Sequence, residues 1–369
     1  MRHPPRRFIS VLFFGSDHMS LPTLKALQSA LQPQQPRSSA HLITSLGVLC
    51  PGSRPVGRGQ AVGALPVAAY AALAGLPMLE VPYGVRDLAG GPFGHSLAHF
   101  LHGGSGSSSV AYDVGVVVSF GYKLPASLLD ALPLGAINLH PSALPRHRGA
   151  APVAHTLLAG DAATAVSVIE VHPTRIDAGN VLAQEPVAID PGMGAPALSA
   201  RLAEHGAAVV LRTVQSLAAA RASAVVQDES LVTKANKVLP EHGRVQWATV
   251  TPSRLVAMAR AFEGSVGVHC LVAPVAEQQQ QQQSTTRIKL LDIAPAEAGI
   301  VEGLPGSAAP GSLAFVGRLR RLFASCGERG WVELRAVQLE GKGAVSGAAF
   351  ALGRHAKASS TSILNVALH

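Results

Sequence analysis

The sequence predicts an α/β domain with a mostly parallel sheet, followed by a small β-barrel domain. In the first half of the chain, apolar runs with the length of strands alternate with helical stretches, which is the pattern of βαβ units. From about Asp228 the pattern changes to short alternating runs separated by Gly and Pro, as in a small barrel. At 369 residues the chain exceeds the usual size of one domain, so two domains are expected.

Hydrophobic periodicity and turn residues give the order of the elements. Strands of the first domain are predicted at residues 8–14, 42–50, 78–81, 113–120, 135–140, 165–172 and 181–189. Helices are predicted between them at residues 21–31, 66–73, 126–132, 152–158 and 197–218. Strands of the second domain are predicted at residues 288–293, 311–316 and 331–339. Ligands of parallel sheets bind beyond the carboxyl ends of the strands, so Gly15, Gly121 and His140 are expected at one crevice.

Composition and charge narrow the class of protein. Hydrophobic residues make up 48% of the chain, enough for a buried core, and the net charge of +8 favours partners that carry phosphates. A solvated basic surface or an organellar protein would show the same balance. The three cysteines are widely spaced, which gives neither a disulfide framework nor a zinc motif and indicates a reducing compartment. The uncharged stretch between Arg58 and Glu80 is broken by two prolines, so it predicts a buried helix and strand rather than a membrane span.

Two polar inserts and a basic start stand apart from this pattern. Residues 103–109 are Gly and Ser, and residues 278–283 are glutamines, so both are expected in solvated loops. Near the N-terminus, Arg2, Arg6 and Arg7 occur before any acidic residue, which is similar to a transit peptide. A presequence, an incomplete gene model and ordinary surface arginines are all open for this segment.

Three polar residues carry the strongest sign of chemistry. If residues 137–140 end a strand, the two-residue period puts Asn138 and His140 on one face. An amide and a protonated imidazole both donate to an oxygen that acquires negative charge, as acyl transfer requires. Farther along, Asp177 lies in a loop before an apolar run, where its carboxylate is suited to orient the imidazole and to pass a proton. Asn138, His140 and Asp177 are therefore the predicted catalytic residues.

Longer motifs surround these residues. Asn138 to Pro145 reads Asn-x-His-x-Ser-x-Leu-Pro, Arg148-Gly149 follows, and Asp177-x-Gly179 comes later. Together they resemble the methionyl-tRNA formyltransferases among the formyltransferases that use 10-formyltetrahydrofolate. The resemblance covers most of the chain and implies a Rossmann-like formyltransferase domain at residues 1–222, with the folate and amine site. It also implies an OB-like, tRNA-binding barrel at residues 223–369, with a polar insert near 277–286.

The resemblance further implies the reaction and the residues that bind its substrates. A formyl group would pass from 10-formyltetrahydrofolate to the α-amine of initiator methionyl-tRNA, without a metal. The expected folate-binding residues are Gly121, Ser142, Ala143, Leu144 and Pro145, the last four forming a loop over the folate. Ala143 replaces the Leu that is usual in the family. This difference is expected to alter the affinity for folate while the enzyme keeps its activity. The expected contacts with tRNA phosphates are Arg54, Arg58, Arg146, Arg148, Arg318, Arg320 and Arg321.

Two other functions are open at this point. Nucleotide-sugar formyltransferases pair the same kind of catalytic domain with a barrel-like extension, and an inactive folate- or RNA-binding relative would keep the fold. The basic second domain favours tRNA, and the presence of all three polar residues favours an enzyme. The protein is expected in mitochondria or, alternatively, in plastids, because translation there starts with formylmethionine. It is expected to be a monomer.

Overall fold

The computed structural model describes residues 8–31, 42–56, 61–102, 112–272, 286–327, 330–353 and 361–368. They form two compact units, one within Met1–Pro152, Ala162–Ile189 and Ala197–Asn236, and one within Val153–Asp161, Asp190–Pro196 and Lys237–His369. Residues 223–236 thus lie with the first unit, and the division at residues 222 and 223 stays a prediction. Both polar inserts and the three N-terminal arginines fall outside the described residues.

The first unit is built on a mostly parallel sheet. Its strands are β1 (Phe8–Gly15), β2 (Leu42–Pro51), β3 (Arg54–Val56), β4 (Ala61–Gly63), β5 (Met78–Val81), β6 (Val114–Val118), β7 (Ala136–His140), β8 (Ala163–Glu170) and β9 (Val181–Ala188). The described residues form a seven-stranded sheet of order β5-β2-β1-β6-β7-β8-β9 and a β3–β4 hairpin. The first five strands in this order, β5, β2, β1, β6 and β7, run parallel to one another, whereas β8 and β9 are each antiparallel to their neighbours. The predicted fold class is confirmed for this unit.

Helices separate the parallel strands and bury them. In chain order they are α1 (Leu21–Ser29), α2 (Pro66–Leu73), α3 (Gly91–Leu101), α4 (Ala126–Asp130), α5 (Pro152–Ala159), α6 (Ala195–Gln215) and α7 (Leu217–Ala222). On β1, Leu12 and Phe14 are fully buried in a cluster that includes Phe93 and Leu97 of α3. A run of apolar residues on one strand is typical of a parallel sheet that helices cover. Strand β1 lies between β2 and β6, so the strand order reverses beside it and a crevice is expected at the carboxyl ends of β1 and β6.

The second unit is an antiparallel sheet with short helices. Its elements are α8 (Pro252–Phe262), β10 (Val268–Val272), β11 (Thr286–Pro295), α9 (Ala298–Val301), β12 (Ser312–Val316), β13 (Arg321–Ser325), β14 (Trp331–Leu339), β15 (Ala344–Ser346), α10 (Gly347–Leu352) and β16 (Thr361–Ala367). The order is β10-β11-β14-β13-β12-β16, with β15 paired to β14. A single antiparallel bridge joins Val272, at the end of β10, to Leu368, just after β16. The strands predicted for this unit are confirmed, and the OB-like barrel stays a prediction.

The uncharged stretch that prompted a membrane test forms α2 and β5, as expected from its prolines. Across the described ranges, no helix is both long enough and apolar enough to cross a membrane.

Candidate active site

A cavity of about 280 Å³ lies on the sheet where β6, β7 and β8 are neighbours. Val117, Asn138 and Ile169 are in register across these three strands, and all three line the cavity. The rest of the wall comes from the segment after β6 and from the loop after β8; it comprises Gly121, Tyr122, Lys123, Leu124, Glu170, Val171, His172, Arg175, Ile176 and Asp177. The cavity thus brings together two of the predicted catalytic residues, Asn138 and Asp177, and the predicted folate-side residue Gly121.

Asn138 presents an amide to this cavity from the middle of β7. It is partly exposed, and its side chain makes no hydrogen bond to any residue that the structure describes. A buried or half-buried amide without a protein partner is available to a ligand. The Asn138 amide therefore lines the cavity without a hydrogen-bond partner among the described residues.

His140 lies behind the cavity and has both ring nitrogens facing protein groups. The residue is 4% exposed. Its Nε2 is 3.0 Å from the carbonyl oxygen of His147, so Nε2 carries a hydrogen, because a carbonyl only accepts. Its Nδ1 faces Oδ2 of Asp177 at 3.6 Å. This geometry brings His140 and Asp177 together, as expected, and it is Asn138 rather than His140 that lines the cavity.

Asp177 is fixed by backbone geometry as well as by its partners. Its φ of +52° lies in the left-handed region, and its Oδ2 accepts a hydrogen bond of 3.0 Å from the Gly149 N–H. Gly149 has a φ of +133°, and a Cβ there would lie 2.5 Å from the carbonyl oxygen of Ala235. Only glycine suits that position, which explains the Arg148-Gly149 motif. The two loops that carry Asp177 and Gly149 therefore meet at the carboxylate.

The loop from Ser142 to Pro145 is held by hydrogen bonds within the protein. Ser142 is fully buried and its hydroxyl donates to the Arg146 carbonyl at 2.7 Å, while the Leu144 carbonyl accepts from Gln184 at 2.9 Å. Leu144 and Pro145 line a different cavity, of about 410 Å³. Folate contact by Ser142, Ala143, Leu144 and Pro145 stays a prediction, whereas Gly121 lines the same cavity as Asn138 and Asp177.

Two of the predicted tRNA contacts are bound to carboxylates instead. The Arg148 side chain is 11% exposed and donates to Gln227 and to Glu229, and its hydrogen bond lowers the pKa of the Glu229 carboxyl. Arg321 donates to both oxygens of Glu333 at 2.7 Å and also binds Glu297, and these hydrogen bonds raise its pKa. A guanidinium already neutralised in this way is poorly placed to meet a phosphate. The geometry argues against the predicted tRNA contacts of Arg148 and Arg321.

The other arginines of that prediction differ in how the structure places them. Arg146 is exposed beside the Ser142 loop. Arg318 and Arg320 are exposed in the turn between β12 and β13, where Arg320 has a φ of +52°. Arg54 begins β3, and Arg58 lies outside the described residues. Their contacts with tRNA stay predictions.

The three cysteines lie outside the walls of the described cavity. Cys50, Cys270 and Cys326 are unpaired, and burial raises the pKa of each thiol to about 12, so these thiols stay protonated. Within the part of the chain that the structure describes, no three His, Cys, Asp or Glu residues are arranged to hold a metal ion.

Sequence patterns missed several groups around the cavity. Lys123 lies two positions after Gly121, so its nearness to a predicted folate-side residue was a signal. His172 and Arg175 lie in the irregular loop before Asp177, where no periodicity indicates which side chains face inward. Gln227, which binds the carbonyls of Asp177 and Gly179, lies about fifty positions away, and no local pattern connects it to them.

Comparison with known proteins shows formyltransferases over most of the chain. The family model for formyl transferase matches residues 105–214, and that for the formyl transferase C-terminal domain matches residues 237–355. The chain is 32% identical to the mitochondrial methionyl-tRNA formyltransferase of Rattus norvegicus, over 90% of this chain and 75% of that protein. It is 34% identical to the methionyl-tRNA formyltransferase of Methylobacterium sp. (strain 4-46), over 94% of this chain and 96% of that protein.

Solved structures share the fold at much lower identity. The N-formyltransferase from Helicobacter canadensis, in complex with folinic acid and dTDP-3-aminofucose, has a TM-score of 0.56 at 12% identity, over 89% of this chain and 99% of that one. WlaRD, a sugar 3N-formyl transferase, has a TM-score of 0.54 at 12% identity, over 91% of this chain and 99% of that one. These likenesses support the architecture alone, and the sequence relatives decide the assignment. The chain belongs to the methionyl-tRNA formyltransferase family.

Proposed function

We propose that this protein transfers the formyl group of 10-formyltetrahydrofolate to the α-amine of methionyl-tRNA at the cavity between Asn138 and Asp177. The observation that carries the proposal is that an unpartnered amide and a carboxylate line one cavity, with the His140 imidazole 3.6 Å behind the carboxylate. Its relatives in rat and in Methylobacterium are named for this reaction.

The cavity suits the end of the folate that carries the formyl group. Val117, Leu124 and Ile169 give it an apolar side, and a volume of about 280 Å³ is near the lower limit of small-molecule sites. The pterin ring and the N10 formyl group fit such a space, and the glutamate end then extends outside it. With the apolar side occupied by the ring, the formyl carbon lies towards Asn138 and Asp177.

The residues divide the reaction among them. The neutral amine attacks the formyl carbon, a C–N bond forms, and the formyl oxygen becomes an oxyanion that the Asn138 amide stabilises by donating to it. The amine gives a proton to the Asp177 carboxylate, which the Gly149 N–H and the imidazole hold in place. Because Nε2 of His140 stays bonded to the His147 carbonyl, Nδ1 is the nitrogen that exchanges a proton with Asp177. The C–N10 bond then breaks, and N10 receives that proton.

A substrate comparison tests the assignment. Purified protein with 10-formyltetrahydrofolate is offered initiator methionyl-tRNA, elongator methionyl-tRNA or dTDP-3-aminofucose, and formylated product is measured. We expect formylation of initiator methionyl-tRNA and none of the amino sugar. Formylation of the sugar nucleotide instead would reassign the chain to the sugar enzymes, and binding of folate and tRNA without turnover would make it an inactive relative.

For the tRNA backbone, we propose a set of cations on β10 and β11 in addition to Arg318 and Arg320. His269 pairs with Lys289, Leu271 pairs with Arg287, and Arg244 forms a bridge with His269, so these cations share one region of the sheet. No carboxylate among the described residues forms an ion pair with Arg244, Arg287 or Lys289. Burial and then the charge of Arg287, with those of Arg244 and Lys289, lower the pKa of His269, which agrees with crowding of like charges.

The salt dependence of tRNA binding tests this surface. Each lost phosphate contact lowers the slope of log K against log salt by about 0.7 to 0.9. Lys289→Gln is expected to weaken binding about three- to tenfold at low salt and to lower the slope by one contact. Lys25→Gln, on α1 of the other unit, serves as the control with an unchanged slope. Equal slopes for Lys289→Gln and the unaltered protein would remove the β10–β11 cations from the interface.

Mitochondria are the proposed location, and a monomer is the proposed state. The rat and human relatives are named mitochondrial, whereas bacterial relatives match at similar identity. A fluorescent fusion of the full chain, compared with mitochondrial and plastid markers, tests the location. Light scattering of the purified protein tests the oligomeric state.

A further inference from the structure

We propose that Gln227 is a positioning residue for the reaction, because its buried side chain joins the two loops that hold the catalytic imidazole and carboxylate. This inference rests on the proposed function of Asn138, His140 and Asp177. Gln227 is 6% exposed and lies in the segment that follows α7. It touches neither the cavity around Asn138 nor any group that would react, so any effect on turnover passes through other residues.

The Gln227 amide uses its full set of hydrogen-bonding groups in one orientation. Its Nε2 donates to the carbonyl of Asp177 at 2.9 Å and to the carbonyl of Gly179 at 2.7 Å. Its Oε1 accepts from Nε of Arg148 at 2.9 Å. Because the nitrogen faces two carbonyls and the oxygen faces a guanidinium, the amide cannot be turned over without breaking all three bonds. The Arg148 guanidinium is in turn held by Glu229 at 3.1 Å.

These bonds act on both sides of the catalytic pair. On one side, Gln227 fixes the backbone of Asp177. The left-handed φ of +52° at Asp177 costs free energy, so it persists only where surrounding contacts hold it. On the other side, Gln227 holds Arg148, which lies between His147 and Gly149. The His147 carbonyl orients the imidazole through Nε2, and the Gly149 N–H binds the carboxylate. One side chain therefore sets the separation of 3.6 Å between the His140 imidazole and the Asp177 carboxylate.

Displacement of such a pair is expected to change kcat more than substrate affinity. Misplacing a catalytic group by about 1 Å costs up to about a hundredfold in rate. The apolar side that would hold the folate ring is formed by Val117, Leu124 and Ile169, and Gln227 makes no hydrogen bond to any of these three residues. A loss of kcat with nearly unchanged KM is thus the signature of positioning, whereas a purely structural role would lower only the fraction of folded protein.

Two variants of the full chain test the proposal. Gln227→Met keeps the length of the side chain and removes all three hydrogen bonds. Gln227→Glu keeps an acceptor for Arg148 but sets a carboxylate oxygen against the carbonyls of Asp177 and Gly179. For both we expect kcat to fall about ten- to a hundredfold, with KM for folate and for methionyl-tRNA within about threefold. The matched control is Asp228→Asn, since the neighbouring Asp228 is exposed and, among the described residues, its side chain forms hydrogen bonds with Ser230 alone.

The measurements separate positioning from folding and from the proposed function itself. Rates are divided by the folded fraction obtained from thermal unfolding, and the pH profile of kcat is recorded for each variant. We expect the profile to change in Gln227→Met and to stay unchanged in Asp228→Asn. A kcat per folded molecule within twofold of the unaltered protein, or a loss confined to KM, would overturn the role of Gln227. Absence of formylation by the unaltered protein would instead contradict the proposed function.

Discussion

Replacing Asp177 by Asn tests the carboxylate at the centre of the proposed reaction. The side chain keeps its size and still offers an oxygen to the Gly149 N–H, but the negative charge that faces Nδ1 of His140 at 3.6 Å is lost. When the imidazole carries the transferred proton, it and the carboxylate have opposite charges, which at that distance attract by about 4 to 5 kcal/mol at an effective dielectric constant of about 20. The Asp177 side chain is 14% exposed, so partial solvation reduces this value to roughly 3 to 4 kcal/mol. A loss of that size in the transition state lowers the rate by about a hundred- to a thousandfold.

Initial rates of methionyl-tRNA formylation measure this loss. We expect Asp177→Asn to lower kcat by that factor and to leave KM for methionyl-tRNA within about threefold, because the residues proposed to bind the tRNA backbone do not include Asp177. The matched control is Glu170→Gln, which changes another acid of the same cavity. Glu170 is already paired with Arg221 at 3.2 Å and accepts from Asn180 at 3.1 Å, so its change should cost less than about tenfold.

Either of two results would refute the reasoning. If Asp177→Asn kept more than about a tenth of the kcat of the unaltered protein, the carboxylate would not carry the proton transfer. If Glu170→Gln lost as much activity as Asp177→Asn, the effect would come from the total charge of the cavity rather than from the pair with His140.

Three further changes have defined outcomes. Asn138→Ala removes the donor that faces the cavity, so kcat should fall about a hundredfold in the same assay with little change in thermal stability. Gly149→Ala sets a Cβ against the Ala235 carbonyl at a φ of +133°, so urea unfolding should show a loss of about 2 to 3 kcal/mol. Glu333→Gln tests how the stability of the protein depends on pH. Burial acts to raise the pKa of Glu333, but the hydrogen bonds from Arg321 and Arg335 outweigh burial, so the pKa in the folded protein lies below 4.5. The ion pair therefore stabilises the protein fully above the pKa of the unfolded chain and less as pH falls through the folded pKa. Urea unfolding should show Glu333→Gln less stable by about 1 to 3 kcal/mol at pH 7, with the difference shrinking below about pH 4.

The elements that place the cavity follow from local patterns. The apolar runs of β1, β6 and β7 read as buried parallel strands, and the two-residue period of β7 places Asn138 on the face that lines the cavity. Asp177 was expected in a loop beside that face, and the structure places it there. Helix α3 was missed, because its first residues, Gly-Pro-Phe-Gly, have the composition of a turn. The same physics explains both outcomes. Hydrophobic periodicity shows which side of an element is buried, so an element that begins with turn-forming residues is not recognised from it.

Pairing across long distances in the chain lies beyond such patterns. The sequence predicts tRNA contacts for Arg148 and Arg321. It does not reveal their carboxylate partners, because Glu229 and Glu333 are separated from them by other elements or by a strand turn. It also assigned His140 a direct role at the formyl oxygen, since no pattern shows that the His147 carbonyl returns to bind Nε2. A charge count therefore does not show which cations are already paired with carboxylates, and a motif predicts catalytic residues without their hydrogen-bond partners.

Residues 223–236 are placed differently by the sequence and by the contacts in the structure. The resemblance implies a domain boundary before this segment, and the pattern of short alternating runs begins within it, at about Asp228. In the structure it belongs to the first unit, where Gln227 binds the Asp177 loop, Thr233 accepts from the His147 N–H at 2.8 Å, and Ala235 pairs with Arg148. Every one of these contacts supports a residue that holds the imidazole or the carboxylate. The proposed catalytic geometry thus rests in part on a segment that carries none of the predicted catalytic side chains, and a fragment ending at residue 222 would lack these contacts.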